Sequence, residues 1–181
     1  MDFNFPKEYQ LFRRMVRDFA EAEVRPLAKA IDREHRVPHE TVKKAAALGL
    51  MGVPFPQKYG GMGGGEMGYC IMMEELGKVC TSTATVIGAH TGIAAMSIHL
   101  DGTEEQKQKY LVPLASGKAV GAFGLTEAQA GSDAAAIKTT AVRDGDSFRI
   151  NGAKVFITNG DIADIITVMA VTDPALGAYG G

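Results

Sequence analysis

The chain of 181 residues is 46% hydrophobic and 22% charged, a globular balance that excludes a disordered or collagen-like polymer and is long enough to bury one good core or two small ones. With 19 basic against 21 acidic residues the net charge is −2, and no run of like charges offers a footprint to nucleic acid or to an anionic membrane. Cys70 and Cys80 are too few for a disulfide framework and form no Cys-x-x-Cys pair, which fits a reducing compartment and makes the cytoplasm the expected location. The first residues lack the basic and then apolar order of a signal peptide and are too acidic for a transit peptide.

From Pro6 to about Leu114 the pattern is helical. Tyr9, Phe12, Met15, Val16 and Phe19, then Val24 and Leu27, recur mostly at three and four residues, with Arg13, Arg14, Arg17, Asp18 and Glu21 between them. A long amphipathic helix is expected there, with Pro26 predicting a kink or break near Arg25. A second helix should run from about His39 to Leu50 and a third from Glu66 to Lys78, where the adjacent Glu74 and Glu75 read as a solvated face. Val79 to Leu100 carries no formal charge over 22 residues, long enough for a membrane span. Its threonines, serines and two histidines argue instead for a buried central helix. Asp101-Gly102 ends that segment, and Thr103 with Gln106 forms a capping box for one more helix to about Leu114.

After Lys118 the segments shorten and become β-branched: Ala119 to Leu125, Ile137 to Arg143, Ser147 to Ile150, Lys154 to Thr158 and Ile165 to Thr172. Asp144-Gly145, Asn151-Gly152 and Asn159-Gly160 punctuate them, which predicts an antiparallel meander. Helices first and strands second is the α+β order. The expected architecture is an all-α helical bundle over 1–117 followed by an antiparallel β-domain, a partial barrel, over 118–181. The closing Gly-Ala-Tyr-Gly-Gly comes soon after an apolar strand, where a closed sheet would add strands, so the β-domain reads as unfinished.

Several motifs look like sites and fail on context. Gly63-x-Gly65-x-x-Gly68 matches a dinucleotide fingerprint, but the proline-rich run before it is no buried strand, and it reads as a helix-connecting loop. His35 and His39 have a metal-ligand spacing, yet Pro38 interrupts their helix, no cysteine or third histidine is near, and Glu34 and Glu40 read equally well as solvated surface carboxylates. His90 reads as a hydrogen-bonded core residue or a pocket wall. No Gly-x-Ser-x-Gly, Walker loop or Cys-His pairing supplies a nucleophile.

Two stretches differ in kind. In Gly121-Ala122-Phe123-Gly124-Leu125-Thr126-Glu127-Ala128-Gln129-Ala130-Gly131-Ser132-Asp133, a strand enters a loop of small residues with hydroxyls at Thr126 and Ser132, suited to holding carbonyl and phosphate oxygens, or making an ordinary Asx or Ser turn. In Asn151 to Gly160, the alternation reads as a strand on which Phe156 and Thr158 share a face, or as a plain hairpin strand with Phe156 in the core.

Together these stretches resemble the acyl-CoA dehydrogenase family. Thr126-Glu127 through Gly131-Ser132-Asp133 is similar to its first flavin segment and Phe156-Ile157-Thr158-Asn159-Gly160 to its second. Tyr59-Gly60-Gly61, Glu74-Glu75-Leu76, Gly102, and Gln106-Lys107 through Leu114 also stand where the family has them. The short-chain, butyryl-CoA type looks closest. Ala128-Gln129 stands where the family more often has Pro-Gly, and Phe156 where many members carry Trp.

The resemblance implies an FAD-dependent oxidoreductase that removes two hydrogens across the α,β bond of an acyl-CoA thioester and passes electrons to an electron-transfer flavoprotein, in a homotetramer. It implies that the backbone at Phe123 and Leu125 and the Thr126 hydroxyl address the pyrimidine side of the flavin. Phe156 and Ile157 would pack on the ring, Thr158 would lie near N5, and Gly131 with Ser132 would hold the pyrophosphate, Ser132 also touching acyl-CoA. The helix from Thr81 to Leu100 would line the acyl pocket. The family's catalytic glutamate belongs to a C-terminal helical domain absent from this chain, so no residue here is assigned as the base, and Glu127 is read as structural. The rival readings are an acyl-CoA oxidase and a truncated, non-catalytic flavin- or CoA-binding or assembly module.

Overall fold

The computed structural model describes residues 4–176; the first three residues and the closing Gly-Ala-Tyr-Gly-Gly lie outside the described residues. α1 (Lys7–Phe19) buries Val16 and Phe19 and carries Glu8 in its first turn and Arg17 in its last, the charge order the helix dipole favours. One wide π-type turn, Ala20–Val24, leads into α2 (Arg25–Glu34). Pro26 therefore sits in the first turn of α2, where its missing N–H is least harmful. His35 ends α2 in the left-handed conformation and Pro38 precedes α3 (His39–Ala47), so the two histidines stand on different elements.

The glycine-rich run is the connection expected: Gly63 and Gly65 have positive φ of 72° and 59°, and Gly64 N–H donates to the Val53 carbonyl at 2.8 Å. α4 (Gly65–Gly77) follows and packs on α1. The uncharged segment forms α5 (Thr81–Ala89), a π-type turn His90–Ala95, and α6 (Met96–Asp101). Thr83, Ile87, His90, Thr91 and Ala95 are fully buried within it, while Ser82, Thr85, Ile93 and Leu100 are exposed. Among the described residues no helix is long and apolar enough to cross a membrane. The capping box forms in both directions: Gln106 N–H donates to Thr103 Oγ1 at 3.2 Å and Thr103 N–H to Gln106 Oε1 at 2.9 Å. It opens α7 (Glu104–Gln106), which continues through a π-type turn, Lys107–Leu111, into α8 (Val112–Ala115).

Val16, Phe19, Val24, Leu50, Met72, Leu76 and Ile87 pack into one core cluster, and Phe55, Tyr59, Ala95, Leu111 and Leu114 into a second. Each Val, Leu, Ile, Phe or Met side chain among them contributes about 1.5–3 kcal/mol on burial, so the helical region has its own hydrophobic support. The solvated reading of Glu75 is corrected here. Its side chain is 2% exposed and accepts Arg17 Nε at 2.9 Å, Arg17 Nη2 at 3.1 Å and Lys78 Nζ at 3.1 Å. Those hydrogen bonds, Arg17's first, hold its pKa below the ordinary carboxylate value. Glu74 stays on the surface, paired with Arg13 and Lys78.

The strands are β1 (Gly121–Gly124), β2 (Thr140–Asp144), β3 (Ser147–Asn151) and β4 (Ile165–Val168). β2 and β3 form the expected antiparallel hairpin around Gly145, in the register Ala141↔Ile150. The all-antiparallel meander is corrected: β4 runs parallel to β1, from Gly121↔Ile165 to Gly124↔Val168. The cause is a return anchored at Val120, whose carbonyl accepts the Asp164 and Ile165 amides and whose N–H donates to Asp164 Oδ2. Val171 then bridges Thr140 in parallel, joining the hairpin to the β1–β4 pair. A helical N-terminal region followed by small sheets is the architecture.

Lys154 to Thr158, expected as a strand, is irregular. Phe156 and Asn159 both adopt left-handed backbone, with φ of 57° and 67°, which a strand does not accommodate. Phe156 and Thr158 thus stand on a turn and share no strand face.

Candidate functional site

The site is built on the edge of β1 that faces away from β4. Val120 and Gly124 carbonyls accept Ile165 and Met169 amides, so residues of that parity point toward β4. Strand alternation then turns the N–H and C=O of Gly121, Phe123 and Leu125 to the opposite edge. Both ends of that edge are anchored by side chains of the irregular segment. Asn159 Nδ2 donates to the Gly121 carbonyl at 3.1 Å and Lys154 Nζ to the Leu125 carbonyl at 2.9 Å. Val155 N–H also donates to the Thr126 carbonyl at 2.9 Å. The two stretches singled out in the sequence are thereby brought side by side, with the Phe123 and Leu125 amides between the anchors.

Beneath this edge lies Glu127. Its carboxylate accepts Lys154 Nζ at 2.7 Å, Lys138 N–H at 2.7 Å, Thr139 N–H at 3.0 Å and Gln129 Nε2 at 2.6 Å. Lys154 first, then Thr139, hold its pKa far below the usual carboxylate range. An acceptor so saturated has no lone pair ready for a substrate proton, which agrees with reading it as structural. Gln129 ties down the loop where the family more often places proline.

The remaining residues present surface. Phe156 is 95% exposed, a large aromatic left uncovered by the described residues, and Thr158, Gly131 and Ser132 are exposed beside half-buried Ile157 and Thr126. Among the described residues the Thr126, Ser132 and Thr158 hydroxyls have no hydrogen-bond partner. A Cβ built on Gly131 would meet nothing within 4 Å, so the chain's own packing does not require glycine there. A separate cleft of about 620 Å³ lies over the sheet face between α6 and β4; it is lined by Phe123 and, from the helix expected to wall the acyl pocket, by Ser97 and Ile98, beside Tyr110, Thr167 and Met169.

His90, read from the sequence as a hydrogen-bonded core residue, is one, whereas the contacts of Asn159 are not visible in the residue pattern. His90 Nδ1 accepts Gly121 N–H at 2.9 Å, and its other nitrogen lies 3.2 Å from the Leu114 carbonyl. That network assigns the neutral form with the proton on Nε2, and burial lowers its pKa to about 4. Asn159 follows a hydrophobic run and precedes glycine, a signature of turns in general, and nothing local reveals its contacts more than 30 residues away.

The donor set fits a flavin. Outward amides at Phe123 and Leu125 and the Thr126 hydroxyl match the carbonyl and ring-nitrogen edge of an isoalloxazine, and exposed Phe156 offers a stacking face.

Residues 6–118 match the model of the acyl-CoA dehydrogenase N-terminal domain and residues 122–180 that of the acyl-CoA dehydrogenase middle domain. The chain belongs to the acyl-CoA dehydrogenase family. It is 53% identical to the short-chain specific acyl-CoA dehydrogenase of Clostridium acetobutylicum, over 99% of this chain and 48% of that protein. Butyryl-CoA dehydrogenase from Megasphaera elsdenii superposes with a TM-score of 0.92 at 40% identity, over 98% of this chain and 47% of that one. A structure described as the electron transferring flavoprotein of Acidaminococcus fermentans superposes with a TM-score of 0.96 at 44% identity, over 99% of this chain and 47% of that one. The chain spans about half the length of the curated relatives it matches.

Proposed function

We propose that this chain supplies the flavin-holding and part of the acyl-CoA-holding surface of an FAD-dependent, short-chain acyl-CoA dehydrogenase. Electrons would leave to an electron-transfer flavoprotein, and the assembly would be a homotetramer. The division is a helical unit over 1–117 and a β unit over 118–181, the two small sheets being the first part of a larger, barrel-like β layer. The observation that carries the reading is the outward edge of β1, anchored by Asn159 and Lys154 and flanked by a 95% exposed Phe156.

FAD, when bound, supplies the acceptor for the electron pair removed from the acyl α,β bond. The amides of Phe123 and Leu125 and the hydroxyl of Thr126 would hold the pyrimidine side and would favour negative charge there, because fixed donors need no reorganisation. Phe156 and Ile157 would cover the ring and exclude water, and Thr158 would present its hydroxyl to N5. Gly131 would allow close approach of the pyrophosphate, and Ser132 would donate to it and touch the thioester ligand. The open face of α5 and its continuation, with Thr85 and Ile93, forms a wall for a short acyl chain. The proton acceptor is assigned to no residue of this chain.

Phe156→Ala separates this from a purely structural role. An exposed side chain contributes little to folding, so apoprotein stability should change by less than about 0.5 kcal/mol, while FAD affinity falls about tenfold with the lost stacking. Unchanged affinity, measured by titrating deflavinated protein with FAD, would remove Phe156 from the ring.

A further inference from the structure

One peptide at the head of β1 is gripped on both of its polar groups. His90 Nδ1 takes the Gly121 N–H at 2.9 Å while Asn159 Nδ2 donates to the Gly121 carbonyl at 3.1 Å. The same Asn159 amide donates to the Val86 carbonyl of α5 at 2.9 Å. Asn159 thus joins three pieces: the central helix, the head of β1, and the turn that carries Phe156, Ile157 and Thr158. Gly121 permits this, since a Cβ there would stand 2.9 Å from Ala94 Cβ and 3.2 Å from Leu114 Cδ2.

The residue type suits the place. Asparagine tolerates the left-handed backbone found at position 159, φ 67°, and its NH2 offers two hydrogens to two carbonyls. An aspartate there would turn carboxylate oxygens on both. Asn159 Oδ1 is buried with no hydrogen-bond partner among the described residues, a loss retained alongside the two donated bonds.

We propose that Asn159 is a positioning residue for the flavin: its amide fixes the spacing between the outward β1 edge, with the Phe123 and Leu125 amides, and the Phe156–Thr158 turn. The inference rests on the flavin reading above and deepens it. Phe123 follows Gly121 by two residues and Thr158 adjoins Asn159, so this side chain links the β1 edge to the turn. Without it, the turn remains tethered by Val155 and Lys154 on one side and by Asp164 on the other, but loses the bonds to β1 and α5 that lie next to Thr158.

The test uses Asn159→Gly in the intact protein, because glycine keeps the left-handed backbone and removes only the amide. Thr103→Ala is the control; it deletes the capping bond from Gln106 N–H, 3.2 Å long, that does not involve β1. FAD affinity of the deflavinated proteins, the visible band of the bound flavin, and the apoprotein Tm are compared. Both variants should lower Tm, but only Asn159→Gly should weaken FAD by about tenfold or more and shift the flavin band, with Thr103→Ala staying within about twofold of the parent. If Asn159→Gly does not fold, Asn159→Ser, which retains one donor, should give an intermediate loss of affinity. Equal affinity of the folded Asn159 variant and a flavin-binding parent overturns the positioning role alone. A parent that takes up no FAD overturns the functional reading and this inference with it.

Discussion

His90 shows how one buried side chain couples stability to pH. It is 0% exposed, lies between Leu114 and Gly121, and is neutral, with burial drawing its pKa to about 4. The unfolded chain, with a histidine near pH 6.5, takes up the proton first as pH falls. Stability from the neutral form is therefore complete above about pH 6.5 and lost progressively toward about pH 4, by about 3 kcal/mol at most. Urea midpoints should fall across that window, and His90→Gln should flatten this part of the profile while lowering stability at neutral pH. An unchanged pH slope in His90→Gln would contradict the assignment. Glu75 acts in a different window: its folded pKa is depressed, chiefly by Arg17, so its contribution is present above its ordinary value near 4.5 and lost only as pH falls further.

At the scale of elements, Thr103 gives the cleanest case. Its reciprocal bonds with Gln106 satisfy amides at the start of α7, so Thr103→Ala should cost about 1 kcal/mol. Hydrogen exchange would show the loss as faster opening of the Glu104–Ala115 amides, with β2–β3 unaffected; equal protection in both proteins would contradict it.

This cap was legible because capping is local, as were the placement of Pro26 and the apolar stripe of α1. Non-local facts were not. The π-type turns at Ala20–Val24, His90–Ala95 and Lys107–Leu111 leave no mark in residue pattern. Glu75 looked solvated because Arg17, its partner, lies 58 residues away. The parallel β1–β4 pairing depends on Asp164 reaching Val120 across 44 residues. The alternation from Lys154 to Thr158 suggested a strand, yet Asn159's bonds to Val86 and Gly121 hold a turn there. Of the candidate site, the two segments were legible through family resemblance, while their apposition and the anchoring by Lys154 and Asn159 required the fold.

Over the whole molecule, two core clusters support the helical region, and β1 is docked on it through Gly121 and Ala94 with no room for a larger residue. Among the described residues, the outward Phe123 and Leu125 amides and the Thr126, Ser132 and Thr158 hydroxyls lie in the same two segments as an uncovered Phe156. The proposed transfer of an electron pair from a short-chain acyl-CoA to bound FAD is tested by anaerobic titration of the purified intact protein with butyryl-CoA, following the visible flavin band with no other electron acceptor present. FAD should be retained and its band should bleach as the thioester is added; a protein that holds no flavin, or whose bound flavin is unchanged by short-chain acyl-CoA, would rule that transfer out.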